Sequence, residues 1–233
     1  MRKLSRAVLV LVMVFSSLGA AQAASSYWQR MAAGYPNQLV VYDYIYEYSS
    51  PEAVINAKVP QLYGFPDVKW QEELNQKMRQ AVQDLADLVK GAAEEAKELE
   101  EIFHAFPYAG VIEYDLKLNQ GGLLSIEVVT YTFTGGAHGM TVCDYINVDL
   151  TTGRQLSFAD LFDTDEELAR AAGVINAKIA EQPEWYFIEQ FTPGLFEAEQ
   201  GFYLTEDAVA ICFPLYEIAP YAAGIQEFAV SAP

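Results

Sequence analysis

Few side chains in this sequence have the chemistry to act on a covalent bond. The chain has two histidines, His104 and His138, and two cysteines, Cys143 and Cys212. A metal centre built on two or three imidazoles has little to draw on, since the two histidines stand in unrelated contexts. His138 lies in Thr134-Gly135-Gly136-Ala137-His138-Gly139, where the glycines permit positive φ values and close approach of a backbone or ligand. Two roles stay open for it, a hydrogen bond to a ligand or a lock on the loop. Neither cysteine has a neighbouring histidine, which disfavours a thiol nucleophile. A disulfide between Cys143 and Cys212 is allowed in an exported chain, but two buried thiols on strands would read the same way.

Carboxylates are abundant, with 32 Asp and Glu residues. The densest group, Asp160, Asp163, Asp165, Glu166 and Glu167, lacks the spacing and central glycine of a calcium loop. Charge at helix N-termini accounts for it better. Paired carboxylates for glycoside hydrolysis have no sequence signature, because spacing in the chain does not report separation in space. There is no G-x-S-x-G elbow, H-E-x-x-H helix or phosphate-binding loop. No catalytic, cofactor or metal residue is assigned, no cofactor is expected, and the chain is expected to bind rather than catalyse.

The rest of the chain says where such a binder works. Arg2, Lys3 and Arg6 precede an uncharged apolar run from Ala7 to Leu18, followed by Ala21-Gln22-Ala23, a small-x-small cleavage site. The run is shorter than the roughly 20 residues that span a bilayer, so residues 1–23 are expected to be a cleaved signal peptide. The mature protein is then secreted or otherwise extracytoplasmic, with no membrane insertion after cleavage. The formal net charge is −18, and the leader holds three of the fourteen basic residues, so the remainder is more acidic still. Such a field repels nucleic acid and anionic lipid and speeds encounter with cationic proteins.

Periodicity supplies the elements. Leu39 to Tyr48 alternates, which puts Tyr42, Tyr44, Tyr46 and Tyr48 on one strand face that could stack on sugars or line a core. A strand from Ala53 is expected to end at Pro60. Asp67 then caps a helix whose stripe is Trp70, Leu74, Met78, Val82, Leu85 and Val89. Gly91 is expected to weaken or end it, before a glutamate-rich segment in which Lys97 pairs with Glu101. Three strands follow, Gly110–Asn119, Leu123–Thr134 and Met140–Leu150, as an antiparallel meander turning at Gly121-Gly122. Ile112, Tyr114, Leu116 and Leu118 are expected to share a face. Ser157 with Asp160 and Thr164 with Glu167 read as two capping boxes, the second opening a helix with Leu168, Ala172, Ile175 and Ile179 inward. A hairpin around Glu206-Asp207 and a strand near Phe228 close the chain. The fold class is α+β, antiparallel sheet with two main helices packed on it, as a 24–107 strand-helix module and a 108–233 module packed together.

The segments YTFTGGAHGMTVCDYINVDLTTGRQLSFADLF and FYLTEDAVAICFPLYEIAPYAAGIQEF resemble the extracellular domain of RsiV-type lysozyme-sensing anti-sigma factors, also found beside PdaC-type polysaccharide deacetylases. VPQLYGFPDVKWQEELNQKM is similar to the companion N-terminal module of the same proteins. The resemblance implies an α+β ectodomain that recognises a cationic cell-wall hydrolase such as lysozyme. By analogy the EIAPYAAG loop is the contact, with Pro220 and Tyr221 as a rigid aromatic anchor and Tyr216 and His138 as further candidates. The deacetylases carry their chemistry on a separate metal-binding domain that has no counterpart in these segments, so deacetylation is not implied. A cell-wall glycan or peptidoglycan ligand is the alternative partner, and an enzyme acting on cell-wall polysaccharide through two carboxylates is the third reading.

Overall fold

The computed structural model describes residues 24–98 and 107–231. The expected leader, His104, and Glu101 as the expected partner of Lys97 lie outside those residues; Lys97 Nζ stands 3.8 Å from a Glu52 carboxylate oxygen. Among the described residues no helix is long and apolar enough to cross a membrane.

The chain runs α1 (Ala24–Met31), β1 (Val40–Ser49), β2 (Ala53–Tyr63), α2 (Val68–Glu98), β3 (Tyr108–Gln120), β4 (Leu123–Phe133), β5 (Met140–Asp149) and β6 (Arg154–Gln155). It continues as α3 (Asp165–Glu181), β7 (Gly201–Leu204), β8 (Ala208–Phe213) and β9 (Gln226–Ser231). Strands β1 to β6 form one sheet in sequence order, and β7 to β9 form a second. The α+β class holds, with α2 and α3 as its two main helices.

Four local expectations need correcting. The pairing is not antiparallel throughout, because β2 and β3 run parallel from Ala53/Tyr108 to Ala57/Ile112. Helix α2 carries the chain back along the sheet, and a crossover of that length allows a parallel pair. β2 does not stop at Pro60 but continues to Tyr63, paired with β1. Proline survives there because pairing with β3 has already ended, so no partner on that side needs its N–H. α2 passes through Gly91 without a break, since the tertiary contacts of Val89 and Ala93 outweigh glycine's weak helix preference. Finally, a register shift between Leu116 and Leu118 moves Leu118 off the Ile112 face, so the two residues enter different cores.

Asp67 Oδ1 accepts from the Trp70 N–H at 3.0 Å, which caps α2. Its stripe of Leu74, Met78, Val82, Leu85 and Val89 is buried against Ile55, Ala57, Val59, Ile112, Ile126 and Ile146. This core draws on residues before and after Pro107, and the first sheet runs continuously across that position. Gly110 lies directly under Leu85 and Val89, where a Cβ would come within 3.0 Å of both. Tyr44, Tyr46 and Tyr48 pack at the rim of the same core, while Tyr42 stays exposed. Lys90 from α2 donates to the Tyr46 hydroxyl at 2.7 Å and lies 4.2 Å from the Tyr48 ring centroid. Three of the four tyrosines therefore do structural work.

The second core joins α1, α3 and the three-stranded sheet through Tyr27, Trp28, Leu161, Ile175, Phe213 and Phe228, among others. α1 had no counterpart in the sequence reading. Its Arg30 makes a bidentate pair with the fully buried Asp149, at 2.7 and 2.9 Å, and donates to the carbonyls of Gly121 and Gly122. Both glycines have positive φ, as expected for the turn between β3 and β4. The two sheets are stitched together by a buried chain of hydrogen bonds. Ser125 Oγ donates to Asn147 Oδ1 at 2.6 Å and accepts from Leu204 N, and Asn147 Nδ2 donates to the Phe202 carbonyl.

Candidate functional site

The loop from Thr134 to Gly139 connects β4 to β5, and the segment from Pro214 to Ile225 connects β8 to β9. They meet at one backbone carbonyl. His138 Nδ1 lies 2.8 Å from Gly139 O, and the Tyr221 hydroxyl donates to the same oxygen at 3.0 Å. A carbonyl only accepts, so Nδ1 carries the proton and, in the neutral ring, Nε2 is left as an acceptor. The Tyr216 hydroxyl stands 3.4 Å from that Nε2. The His138 and Tyr221 rings stack with centroids 4.0 Å apart, and the Tyr216 ring lies 5.7 Å from that of Tyr221.

Local chemistry on both loops makes this arrangement. Gly135 and Gly136 adopt φ of 96° and 95°, turning the chain where side-chain residues would be strained. Gly139 is buried beneath the Tyr131 ring, which already occupies the place of a Cβ there. On the other loop, Ile218 and Ala219 are buried anchors and Phe187 N donates to Ile218 O at 2.9 Å. Pro220 precedes a short 3-10 turn, Tyr221–Ala223, which closes on Gly224 at φ 74°. Gln226 ties the turn down by donating to the carbonyls of Ala223 and Gly224. Tyr216 is the described non-glycine residue with positive φ, at 70°, and 47% of its surface is exposed. A left-handed tyrosine costs roughly 1–3 kcal/mol and persists only where its surroundings hold it.

The four residues singled out from the sequence, His138, Tyr216, Pro220 and Tyr221, thus come from two distant segments into one aromatic surface. What sequence reasoning missed is the support: Tyr131 below Gly139, and the acidic flank. Glu217, next to Tyr216, has its carboxyl pushed up by burial and by the nearby Glu197. A carboxyl so placed gains by meeting a cation. The third glycine of the TGGAHG segment was the one sequence signal for the close approach of Tyr131.

The other chemistry-bearing residues settle elsewhere. Cys143 and Cys212 are free thiols, so the bridge weighed from sequence is not formed. They flank Tyr145 where the two sheets face each other, in a cluster with Lys117, Glu127 and Tyr203. Lys117 bridges Asp115 and Glu127 at 2.9 Å each and lies 4.6 Å from the Tyr203 ring centroid. Burial, together with the Glu127 charge, pushes the Cys143 thiol up to about 12, and burial likewise raises Cys212. Both are protonated at neutral pH and are poor nucleophiles. The acidic run after Leu156 is used as expected: Asp160 receives the Ser157 N–H at 2.7 Å and pairs with Arg154, and Thr164 and Glu167 cap α3 reciprocally. Asp144 on β5 carries a carboxyl raised to about 6 by burial. Among the described residues no group of three or more His, Cys, Asp or Glu could hold a metal ion.

Comparison with known proteins fits this architecture. Residues 47–141 match the family described as Deacetylase PdaC, and residues 159–232 match the family described as Protein of unknown function (DUF3298). No curated protein matches the chain. Among solved structures, a member of the DUF3298 family from Bacteroides fragilis superposes with a TM-score of 0.61 at 18% identity, covering 83% of this chain and 90% of that one. A DUF3298 family protein from Pseudomonas aeruginosa PAO1 gives a TM-score of 0.54 at 20% identity, covering 86% of this chain and 92% of that one. At these identities the likeness is one of fold.

Proposed function

We propose that this chain is an extracytoplasmic recognition module, not a catalyst, and that the His138–Tyr216–Tyr221 surface docks a cationic cell-wall hydrolase of the lysozyme type. The observation that carries the reading is the convergence of His138 and Tyr221, from two loops, on the Gly139 carbonyl, with Tyr216 beside them at His138 Nε2 in a strained, half-exposed conformation. Rigid aromatics lose little entropy on binding and are favoured at the centres of interfaces. The net charge of −18 and the Glu197/Glu217 flank suit a basic partner. The same loops carry the resemblance to lysozyme-sensing ectodomains, and export through the N-terminal leader would place the module where such hydrolases act.

Calorimetric titration with a basic lysozyme, at low and at physiological salt, tests this. Binding is expected to persist at physiological salt and to weaken at least tenfold, about 1.4 kcal/mol, in Tyr221→Ala. Tyr221→Phe keeps the ring and should retain most of the affinity. Heat that physiological salt abolishes, or that Tyr221→Ala leaves unchanged, would sink the reading. Salt-insensitive binding to uncharged cell-wall glycan, lost in the same variant, would transfer the surface to a sugar ligand.

A further inference from the structure

β1 is the outermost strand of the six-stranded sheet, and among the described residues only β2 pairs with it. Its pairing with β2 runs unshifted from Val40/Tyr63 to Ser49/Val54. Proteins commonly guard such an edge with lysine, proline, a bulge or a covering loop. The sequence VVYDYIYEYS contains no lysine or proline and the strand has no register break, so its own guards are the charges of Asp43 and Glu47 alone. It also leaves apolar side chains in solvent, with Val40 52%, Tyr42 50% and Ile45 59% exposed.

The hairpin fixes which backbone groups are free. Ser50 N donates to Ala53 O at 2.8 Å, so this position is a hydrogen-bonded pair. Antiparallel ladders alternate, so the even-numbered residues of β1 bond to β2 while Val41, Asp43, Ile45 and Glu47 turn their N–H and C=O groups outward.

We propose that this edge pairs with the β1 edge of a second copy, antiparallel about a two-fold axis perpendicular to the sheet, with Tyr44 opposite Tyr44. In that register Val41 exchanges hydrogen bonds with Glu47 of the other copy, and Asp43 with Ile45, so all four outward residues are satisfied. Tyr42 lands opposite Tyr46 in the closer, non-hydrogen-bonded positions, where aromatic cross-strand pairs are favourable. A slip of two residues, with Ile45 opposite Ile45, would put Asp43 against Glu47 and is disfavoured by like charge. The neighbouring register on the other side sets Asp43 against Asp43, so the Tyr44-centred pairing is the one among these three that opposes no two carboxylates while satisfying all four outward residues, and this self-complementarity commits the edge to a second copy. The net charge of −18 on each copy opposes association, so self-pairing strengthens as salt rises. That is the opposite salt response to docking of a cationic partner, and it involves none of the His138 cluster, so the two ideas fail separately.

Sedimentation equilibrium of the purified chain at low and high salt is the test. A monomer–dimer equilibrium that shifts toward dimer with salt is expected. Ile45→Pro, which removes an outward N–H and no bond to β2, should give a monomer, and Ile45→Thr should still dimerise. A monomer at every salt concentration, or a dimer unaffected by Ile45→Pro, would overturn the proposal. So would a monomeric chain that captures a basic peptide through β1. Should Ile45→Pro fail to fold, Tyr44→Cys in a Cys143→Ser, Cys212→Ser background gives an independent reading. Directly opposite residues at such positions have Cα atoms about 4.5 Å apart, within reach of a disulfide. Oxidation should yield a covalent dimer, and its absence would overturn the register.

Discussion

Tyr216 carries the sharpest single-residue prediction. Its φ of 70° stores strain that a glycine would not, so Tyr216→Gly removes strain while also loosening the unfolded chain. The two effects oppose, and thermal unfolding is expected to show stability unchanged or raised by up to about 1 kcal/mol. Titration of the same variant with a basic lysozyme should nonetheless show reduced affinity, because the exposed ring is gone. Lower stability together with intact binding would mean that the tyrosine packs the loop and contacts nothing. Nothing in the letter string marked Tyr216 as strained. His138 and the Pro220-Tyr221 pair were legible because glycines and a proline surround them, whereas a left-handed backbone at a tyrosine is imposed by the fold.

Among the elements, α1 shows how much rests on one ion pair. Asp149 is fully buried, and burial alone would raise its carboxyl, yet Arg30 and Thr151 outweigh that and hold it well below the usual carboxylate range. Arg30→Met leaves the carboxylate buried without its cation and should destabilise the chain by about 3 kcal/mol in urea unfolding at pH 7. The sign with pH follows from the lowered value. A depressed folded pKa stabilises the fold at pH above about 4, the unfolded value, and that contribution fades as pH falls toward the folded one. The difference between wild type and Arg30→Met should therefore shrink below pH 4, and a constant difference would show that Arg30 acts through packing. Sequence periodicity recovered most strands and both long helices. It missed α1 because a segment of eight residues has no amphipathic repeat long enough to register.

For the whole molecule the governing quantity is charge. An 18-unit negative excess should steer a basic partner and raise its association rate at low ionic strength. Stopped-flow mixing with a basic lysozyme should show the association rate falling as salt rises, while the dissociation rate responds mainly to Tyr221→Ala. A dissociation rate that carries the whole salt effect would place the charges inside the contact rather than around it. The same excess works against self-association, so each salt response reports a different surface.

The sequence by itself determined the α+β class, the acidic composition, the helix stripes and caps, and the glycine and proline turns of the two loops. Those features are written locally, in periods of two and 3.6 and in glycine, proline and capping residues. Only the tertiary structure decided that the two loops share the Gly139 carbonyl, that β2 and β3 run parallel, that Leu118 leaves the Ile112 face, and that Cys143 and Cys212 remain thiols around Tyr145. Each depends on which distant segments come to lie side by side. That is settled by how the described sheets and helices bury their apolar faces together, and no local pattern encodes it.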